Sequence, residues 1–207
     1  LDRTEASCDQ EHLPALILSD TGVPDRTASI LTGNTEPMYQ RLLADARLLE
    51  ECGCTVIAIP CNTSHYFVDR IQQEISIPIV HMIRETARLL VSQGKKRPGI
   101  LATDGTIRTG LYQKECAAFG LEAAPPEPAV QRLVMSIIYE EIKRGERGSR
   151  EKFAQIDRAL ASMGCDCAIL GCTELSVFRS YHSLPPFYVD AMEVLAELAV
   201  VRCGKKL

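Results

Sequence analysis

An internal repeat with an offset of 111 residues limits the folds open to this 207-residue chain. The offset aligns three pairs of identical residues: Gly53 with Gly164, Cys54 with Cys165, and Cys61 with Cys172. In each half an apolar stretch separates the glycine from the last cysteine, and a polar pair follows that cysteine. Self-similarity at this spacing predicts two related halves, each delivering a cysteine from the carboxyl end of a strand.

Short apolar segments alternate with amphipathic stretches along the whole chain. Strands are predicted at Ala15–Ser19, Val56–Pro60, Ile79–Met82, Gly99–Thr103, Ala168–Gly171 and Phe187–Val189. Helices are predicted at Met38–Glu51, His65–Glu74, Ile83–Gln93, Gly110–Phe119, Gln131–Arg144, Arg150–Met163 and Ala191–Arg202. This alternation is typical of an α/β architecture with parallel sheets, which is the fold class that we predict.

Two proline-containing segments, Ser76–Pro78 and Ser183–Pro186, interrupt the pattern and mark the predicted domain boundaries. We expect the last strand and helix to return to the first domain. The first α/β domain would then comprise residues 1–81 and 185–207, and the second would be an insertion of residues 82–184.

Composition narrows the class of function. The formal net charge is −4 and no basic block is present, so a nucleic-acid partner is not expected. The longest apolar runs have the length of strands, and the first residues lack the apolar core of a secretory signal, so no membrane partner is expected. Nine cysteines, an odd number, favour free thiols and a cytoplasmic location over a complete disulfide framework.

Cys61 and Cys172 each lie where a strand ends and a helix is expected to begin. Backbone N–H groups and the helix dipole stabilise anions there, so a lowered thiol pKa and a bound substrate carboxylate are both expected. Asn62, Thr63 and Thr173 can add side-chain donors. The alternative is that both cysteines are small core residues, as most free cysteines are.

The remaining cysteines lie in or beside predicted elements and are interpreted as structural. Two Cys-x-Cys pairs, Cys52/Cys54 and Cys165/Cys167, raise the possibility of zinc. Structural zinc sites favour two to four residues between cysteines, so no metal is predicted.

A pair of thiols on opposite sides of a substrate suits inversion at a carbon atom. One thiolate removes a proton from one face while the other thiol returns a proton to the opposite face. Electrostatic stabilisation of the carbanion-like transition state by donors at two helix ends would complete such a site.

Six segments carry a family resemblance: Ile59–His65, Leu170–Ser176, Asp9–His12, Pro24–Thr27, Leu101–Thr106 and Ile138–Lys143. Together they resemble the aspartate/glutamate racemase family, in particular its aspartate racemases that act without pyridoxal phosphate. The resemblance runs in order from about Asp9 to the C-terminus. It implies two similar α/β domains related by a pseudo-twofold duplication, with the active site in the cleft between them.

The resemblance also implies the roles of individual residues. Cys61 and Cys172 would be the catalytic pair, acting on a small acidic amino acid without a cofactor, in a homodimer. The substrate-binding residues would be Arg26, Asn62, Thr63, Thr103, Lys143, Thr173 and Glu174. Arg suits bidentate binding of a carboxylate, and Lys supplies a point charge. Non-catalytic alternatives stay open for three residues: a surface turn for Arg26, an exposed helix face for Lys143 and a turn cap for Thr103.

One expected segment has no counterpart in this sequence. The family begins with a strand and a glycine-rich turn, and nothing similar precedes Asp9. The first domain is therefore expected to lack its N-terminal strand here. The alternatives to aspartate racemisation are racemisation of glutamate or of many amino acids, a one-cysteine decarboxylase, which the presence of both cysteines disfavours, and a Cys-rich metal-binding or redox-sensing module.

Overall fold

The computed structural model describes residues 3–207, and five parallel strands organise this part of the chain. The strands are β1 Ile57–Ala58, β2 Ile79–Val80, β3 Pro98–Ala102, β4 Cys167–Gly171 and β5 Tyr188–Asp190. β1 pairs with β2 in one sheet. β3, β4 and β5 form a second sheet with β4 in the centre. The predicted α/β fold class with parallel sheets is confirmed.

Ten α-helices surround the sheets within the described residues. They are α1 Arg26–Thr32, α2 Glu36–Glu51, α3 Val68–Gln72, α4 Met82–Ser92, α5 Asp104–Thr109, α6 Leu111–Ala118, α7 Pro128–Met135, α8 Arg150–Ser162, α9 Thr173–Tyr181 and α10 Ala191–Arg202. Short 3₁₀ helices cover Asp9–Glu11, Thr63–Phe67 and Ile142–Arg144, and a π-helix covers Ser136–Glu141. In the described part of the chain, no helix combines the length and apolarity needed to cross a bilayer.

The second sheet is apolar on both faces, as expected of a sheet covered by helices on both sides. Because side chains alternate along a strand, successive residues of β3 enter different cores. Ile100 packs in a cluster with residues of α4 and α10, whereas Leu101 packs with residues of α7 and α8. A third cluster joins β1 to α2 and α3. The helices that pack against these strands hold the strand ends in place, and the cysteines follow those ends.

The strand predicted at Ala15–Ser19 is wrong. This segment has no regular secondary structure, and every residue in it is exposed, with Ile17 85% exposed. Its apolar sequence resembles a buried strand, but a strand requires a hydrogen-bonded neighbour. Within residues 3–207 the β1–β2 sheet has only two strands, and neither pairs with this segment.

β5 pairs with β4 in the second sheet, whereas the sequence-based domain assignment associates residues 185–207 with the first. α10 contacts α4 and β4, and also β1 and β2 of the first sheet. The C-terminal segment therefore contacts both halves. The division into 1–81 plus 185–207 and 82–184 stays a prediction, although the hydrogen bonding of β5 differs from what it implies.

Candidate active site

The two cysteines aligned by the repeat lie on the same cleft. A cavity of about 80 Å³ opens where the chain leaves β1 and β4. It is lined by Asp25, Arg26, Thr27, Pro60, Cys61, Asn62, Thr63, Thr103, Tyr139, Gly171, Cys172, Thr173 and Glu174. The cleft brings together eight of the nine sequence-predicted site residues, and its size suits a small ligand.

In the first half of the cleft, hydrogen bonds fix the polar pair after Cys61. The Tyr112 hydroxyl donates to Asn62 Oδ1 at 2.5 Å, so the amide oxygen is engaged and the Asn62 NH₂ group remains as the donor. Thr63 Oγ1 lies 2.8 Å from Thr106 Oγ1 and 3.3 Å from Thr103 Oγ1. The buried hydroxyl cluster joins the Cys61 loop to the start of α5, which Thr103 caps.

His65 forms hydrogen bonds that hold the Cys61 loop in place. The backbone N–H of Met82 donates to His65 Nε2 at 3.1 Å, which requires the proton on Nδ1. Nδ1–H then donates to the Cys61 carbonyl at 2.9 Å. Burial, opposed by this carbonyl, lowers the His65 pKa from 6.5 to about 4. The neutral ring therefore holds the Cys61 backbone against the start of α4.

In the second half, Cys172 is the N-terminal capping residue of α9. Its thiol donates to Glu174 Oε2 at 2.8 Å. Thr173 Oγ1 donates to the same oxygen at 3.1 Å. The backbone thus places a thiol, a hydroxyl and a carboxylate in one hydrogen-bonded group at the start of a nine-residue helix.

The expected lowering of the thiol pKa is wrong for Cys172. Burial raises its pKa well above the ordinary value, and the negative charge of Glu174 together with its hydrogen bond raises it further. The start of α9 favours a thiolate, but removal of the sulfur from water and a carboxylate at 2.8 Å outweigh that preference. The sequence identified the helix start but not the acceptor that keeps the thiol protonated.

Two cations border the cleft. Arg26 is the first residue of α1 and lines the cavity, and no carboxylate among residues 3–207 forms a salt bridge with it. Lys143 stands just outside the lining: its Nζ is 3.8 Å from Glu174 Oε1 and 4.0 Å from the centre of the Tyr139 ring. One cation therefore lies in the cleft lining and the other lies beside it.

Tyr139 was not among the site residues predicted from the sequence. Its ring lines the cavity and lies under the Lys143 ammonium group. Both residues come from the irregular end of a helix, where the π-helix Ser136–Glu141 is followed by a 3₁₀ turn. Wide helical turns of this kind often occur at functional sites, and hydrophobic periodicity does not predict them.

Away from the cleft, Asp69, His81 and Glu115 place potential metal-ligand atoms within 4.8 Å of one another. The Arg84 guanidinium group already donates to both carboxylates in this cluster, at 3.0 and 3.1 Å to Glu115 and 3.3 Å to Asp69. Both carboxylates of this cluster are therefore already paired with a protein cation.

Comparison with known families identifies the family of this chain. A family model described as Asp/Glu/Hydantoin racemase matches residues 1–199. The chain belongs to this racemase family.

The racemase fold is also found in solved structures. The aspartate racemase of Picrophilus torridus superposes with a TM-score of 0.81 and 24% identity over all of this chain and 86% of that one. A putative Asp/Glu racemase from Yersinia pestis gives 0.80 and 25% identity, with 98% and 89% of the two chains covered. These likenesses match the parallel α/β fold described above.

Curated relatives of this chain include a broad specificity amino-acid racemase, RacX, of Bacillus subtilis, which is 33% identical over 105 residues. That match covers 49% of this chain and 46% of the relative. A glutamate racemase of Limosilactobacillus reuteri is 28% identical over 146 residues, or 69% of this chain and 53% of that protein. For these two relatives, the matched region spans about half of their length.

Proposed function

We propose that this protein interconverts L- and D-aspartate by moving the Cα proton between Cys61 and Cys172, without a cofactor. The observation that carries the proposal is that both cysteines line one cavity, each following a strand of a different sheet. Membership of the racemase family supports the reaction class.

The proposed reaction begins with opposite protonation states of the two sulfurs. Cys172 starts as the thiol, because burial and Glu174 raise its pKa. The two-base reaction then requires Cys61 to act as the base. The Cys61 sulfur takes the Cα proton and leaves the electron pair on the substrate. Cys172 then delivers its proton to the opposite face. Reaction of the other enantiomer starts from the reversed protonation states.

Polar groups of the cleft account for substrate binding. We assign the α-carboxylate to donors that converge from both halves, namely Arg26, the Asn62 amide, the Thr63 hydroxyl and the backbone N–H of Thr173 at the start of α9, with Thr103 supporting Thr63. Lys143 is assigned to the side-chain carboxylate. Preorganised donors around the α-carboxylate stabilise the charge that develops when the Cα proton leaves.

A second candidate is racemisation of glutamate or of a wider range of amino acids. The similarity to the broad specificity racemase of Bacillus subtilis favours this range. The family resemblance also leads us to expect a cytoplasmic homodimer. Sedimentation analysis tests whether the protein is a dimer.

The direct test is incubation of the reduced protein with L-aspartate in D₂O, without pyridoxal phosphate. We expect deuterium at Cα and the D-isomer to accumulate together, measured by NMR and chiral chromatography. Parallel incubations with glutamate and alanine measure the substrate range. A folded, reduced protein that exchanges no Cα proton in any of them would refute the proposal.

Cys61→Ala and Cys172→Ala test the two-thiol assignment. Removal of either proton-transfer group is expected to slow racemisation by about 10²–10⁴-fold. Cys54→Ala and Cys165→Ala are the matched controls, because they are related by the same offset but do not line the cavity. Normal racemisation by either cleft variant would show that one thiol is dispensable.

A further inference from the structure

Glu174 lines the cleft and accepts a hydrogen bond from the proposed catalytic thiol. Its Oε2 accepts from both Cys172 Sγ, at 2.8 Å, and Thr173 Oγ1, at 3.1 Å. Its Oε1 faces Lys143 Nζ at 3.8 Å. Both carboxylate oxygens therefore have protein partners.

A substrate-binding role for Glu174 fits these contacts poorly. An amino-acid substrate brings an α-carboxylate to the cleft, and a second carboxylate repels it. The substrate ammonium group would have to compete with the thiol, a hydroxyl and Lys143 for the same oxygens. A role directed at Cys172 agrees better with the geometry.

The position of Glu174 in α9 creates two opposing influences on the sulfur. The N-terminus of the helix stabilises negative charge on Cys172, while the adjacent carboxylate opposes it. Cys172 is 9% exposed, so water screens this interaction weakly. Transfer of the proton from sulfur to carboxylate would keep one negative charge at the helix start and move it from oxygen to sulfur.

We propose that Glu174 is the positioning residue and proton acceptor of Cys172, a role that rests on the function proposed above. Glu174 holds Cys172 as the thiol when that sulfur must act as the acid. When Cys172 must act as the base, its S–H bond breaks, an O–H bond forms at Glu174 Oε2, and the negative charge passes to sulfur. The reverse transfer restores the thiol.

Alkylation of Cys172 tests the proposal without relying on racemisation. In the Cys61→Ala background, iodoacetamide labelling of the peptide that contains Cys172 is followed by mass spectrometry between pH 6 and 11. Removal of the carboxylate charge by Glu174→Gln is expected to lower the pH of half-maximal labelling by one unit or more, so labelling at pH 8 accelerates about tenfold. Glu174→Asp, which keeps the charge, should retain the high midpoint.

Glu151→Gln is the matched control, because Glu151 occupies the same second position of its helix, α8, and is exposed. It should leave the midpoint unchanged. Circular dichroism and thermal unfolding confirm that each variant is folded. An unchanged or higher midpoint in folded Glu174→Gln would overturn the assignment.

Racemisation of the same variants, made with Cys61 intact, separates this proposal from the proposed function. We expect Glu174→Gln to exchange the Cα proton at least tenfold more slowly although its Cys172 is more reactive. Loss of exchange with an unchanged labelling midpoint would overturn the proton-acceptor role and leave the racemase proposal standing. A wild-type protein that exchanges no proton would refute the racemase function, while the labelling result would still decide how Glu174 acts on Cys172.

Discussion

At the residue scale, the two cysteine motifs surround their cysteines with different groups. Both motifs predict a sulfur at the start of a helix. In the structure, the Cys172 thiol meets a carboxylate and the Cys61 carbonyl meets a neutral imidazole. The polar residues that differ between the two motifs therefore give the two cysteines different surroundings.

His65 gives a stability prediction with a defined sign. Its pKa is lowered to about 4 in the folded protein, so the unfolded chain binds the proton first as the pH falls. The contribution of His65 to the unfolding free energy is complete above about pH 6.5 and is lost as the pH falls toward 4. The loss is about 2 kcal/mol between pH 7 and pH 5. Urea unfolding at both pH values measures it.

His65→Asn and His65→Gln identify the source of that dependence, because neither side chain titrates in this range. Both should lose the His65 part of the pH dependence. Asn can replace the Nδ1–H donor to Cys61, whereas Gln better replaces the Nε2 acceptor of the Met82 N–H. An undiminished pH dependence in both variants would assign the titration to other groups.

At the element scale, the close approach of α1 and α5 positions Arg26. α5 can lie against α1 because Gly105 has no side chain: a Cβ there would be 2.9 Å from Thr27 Cα. Thr27 follows Arg26 directly, so the packing of this helix pair fixes the arginine at the edge of the cleft.

Gly105→Ala is therefore expected to weaken both packing and the site. Overpacking against the α1 backbone should lower the unfolding free energy by about 1–2 kcal/mol, even though alanine favours a helix by about 1 kcal/mol over glycine. Displacement of Arg26 should raise KM for aspartate. Urea unfolding and steady-state kinetics measure the two effects. A higher unfolding free energy in Gly105→Ala would show that α1 and α5 accommodate the added methyl group without a net cost.

Strands and helices with strong periodicity were predictable from the sequence, and so were the cysteines related by the repeat. β3 and β4, for example, differ from the predicted strands by one residue at their ends. Two helices, α1 and α5, were not predicted because they are short and begin at turn residues, and α9 was expected after Cys172 but without bounds. The thiol–carboxylate contact and the π-helix depend on side-chain geometry and helical winding, which periodicity does not encode.

At the scale of the whole molecule, the cleft joins segments that are far apart in sequence. Its lining extends from Asp25 to Glu174 and follows strands of both sheets. A ligand that contacts both sides connects the two halves and stabilises the folded state by an amount that grows with the logarithm of its concentration relative to Kd.

Aspartate is accordingly expected to raise the unfolding free energy by about 2.7 kcal/mol at one hundred times its Kd. The measurement is denaturant unfolding of the Cys61→Ala/Cys172→Ala double variant. This variant is expected to be inactive, so the added aspartate is not racemised during the measurement. Alanine at the same concentration is the matched ligand, since it lacks the side-chain carboxylate and should stabilise less. Equal effects of the two amino acids would remove the assignment of Lys143 to that carboxylate.

The surroundings of Cys61 and Cys172 have a consequence for handedness. The repeat delivers a sulfur from each half, but one follows a two-residue strand and a 3₁₀ turn, and the other caps an α-helix beside Glu174. Mirror-image substrates would thus meet groups that are not mirror images. Because enantiomers are equally stable in water, a racemase must have the same kcat/KM in both directions. If the two halves treat the enantiomers differently, kcat and KM must therefore differ between the enantiomers by the same factor. The enantiomer that binds more tightly is then the one that turns over more slowly.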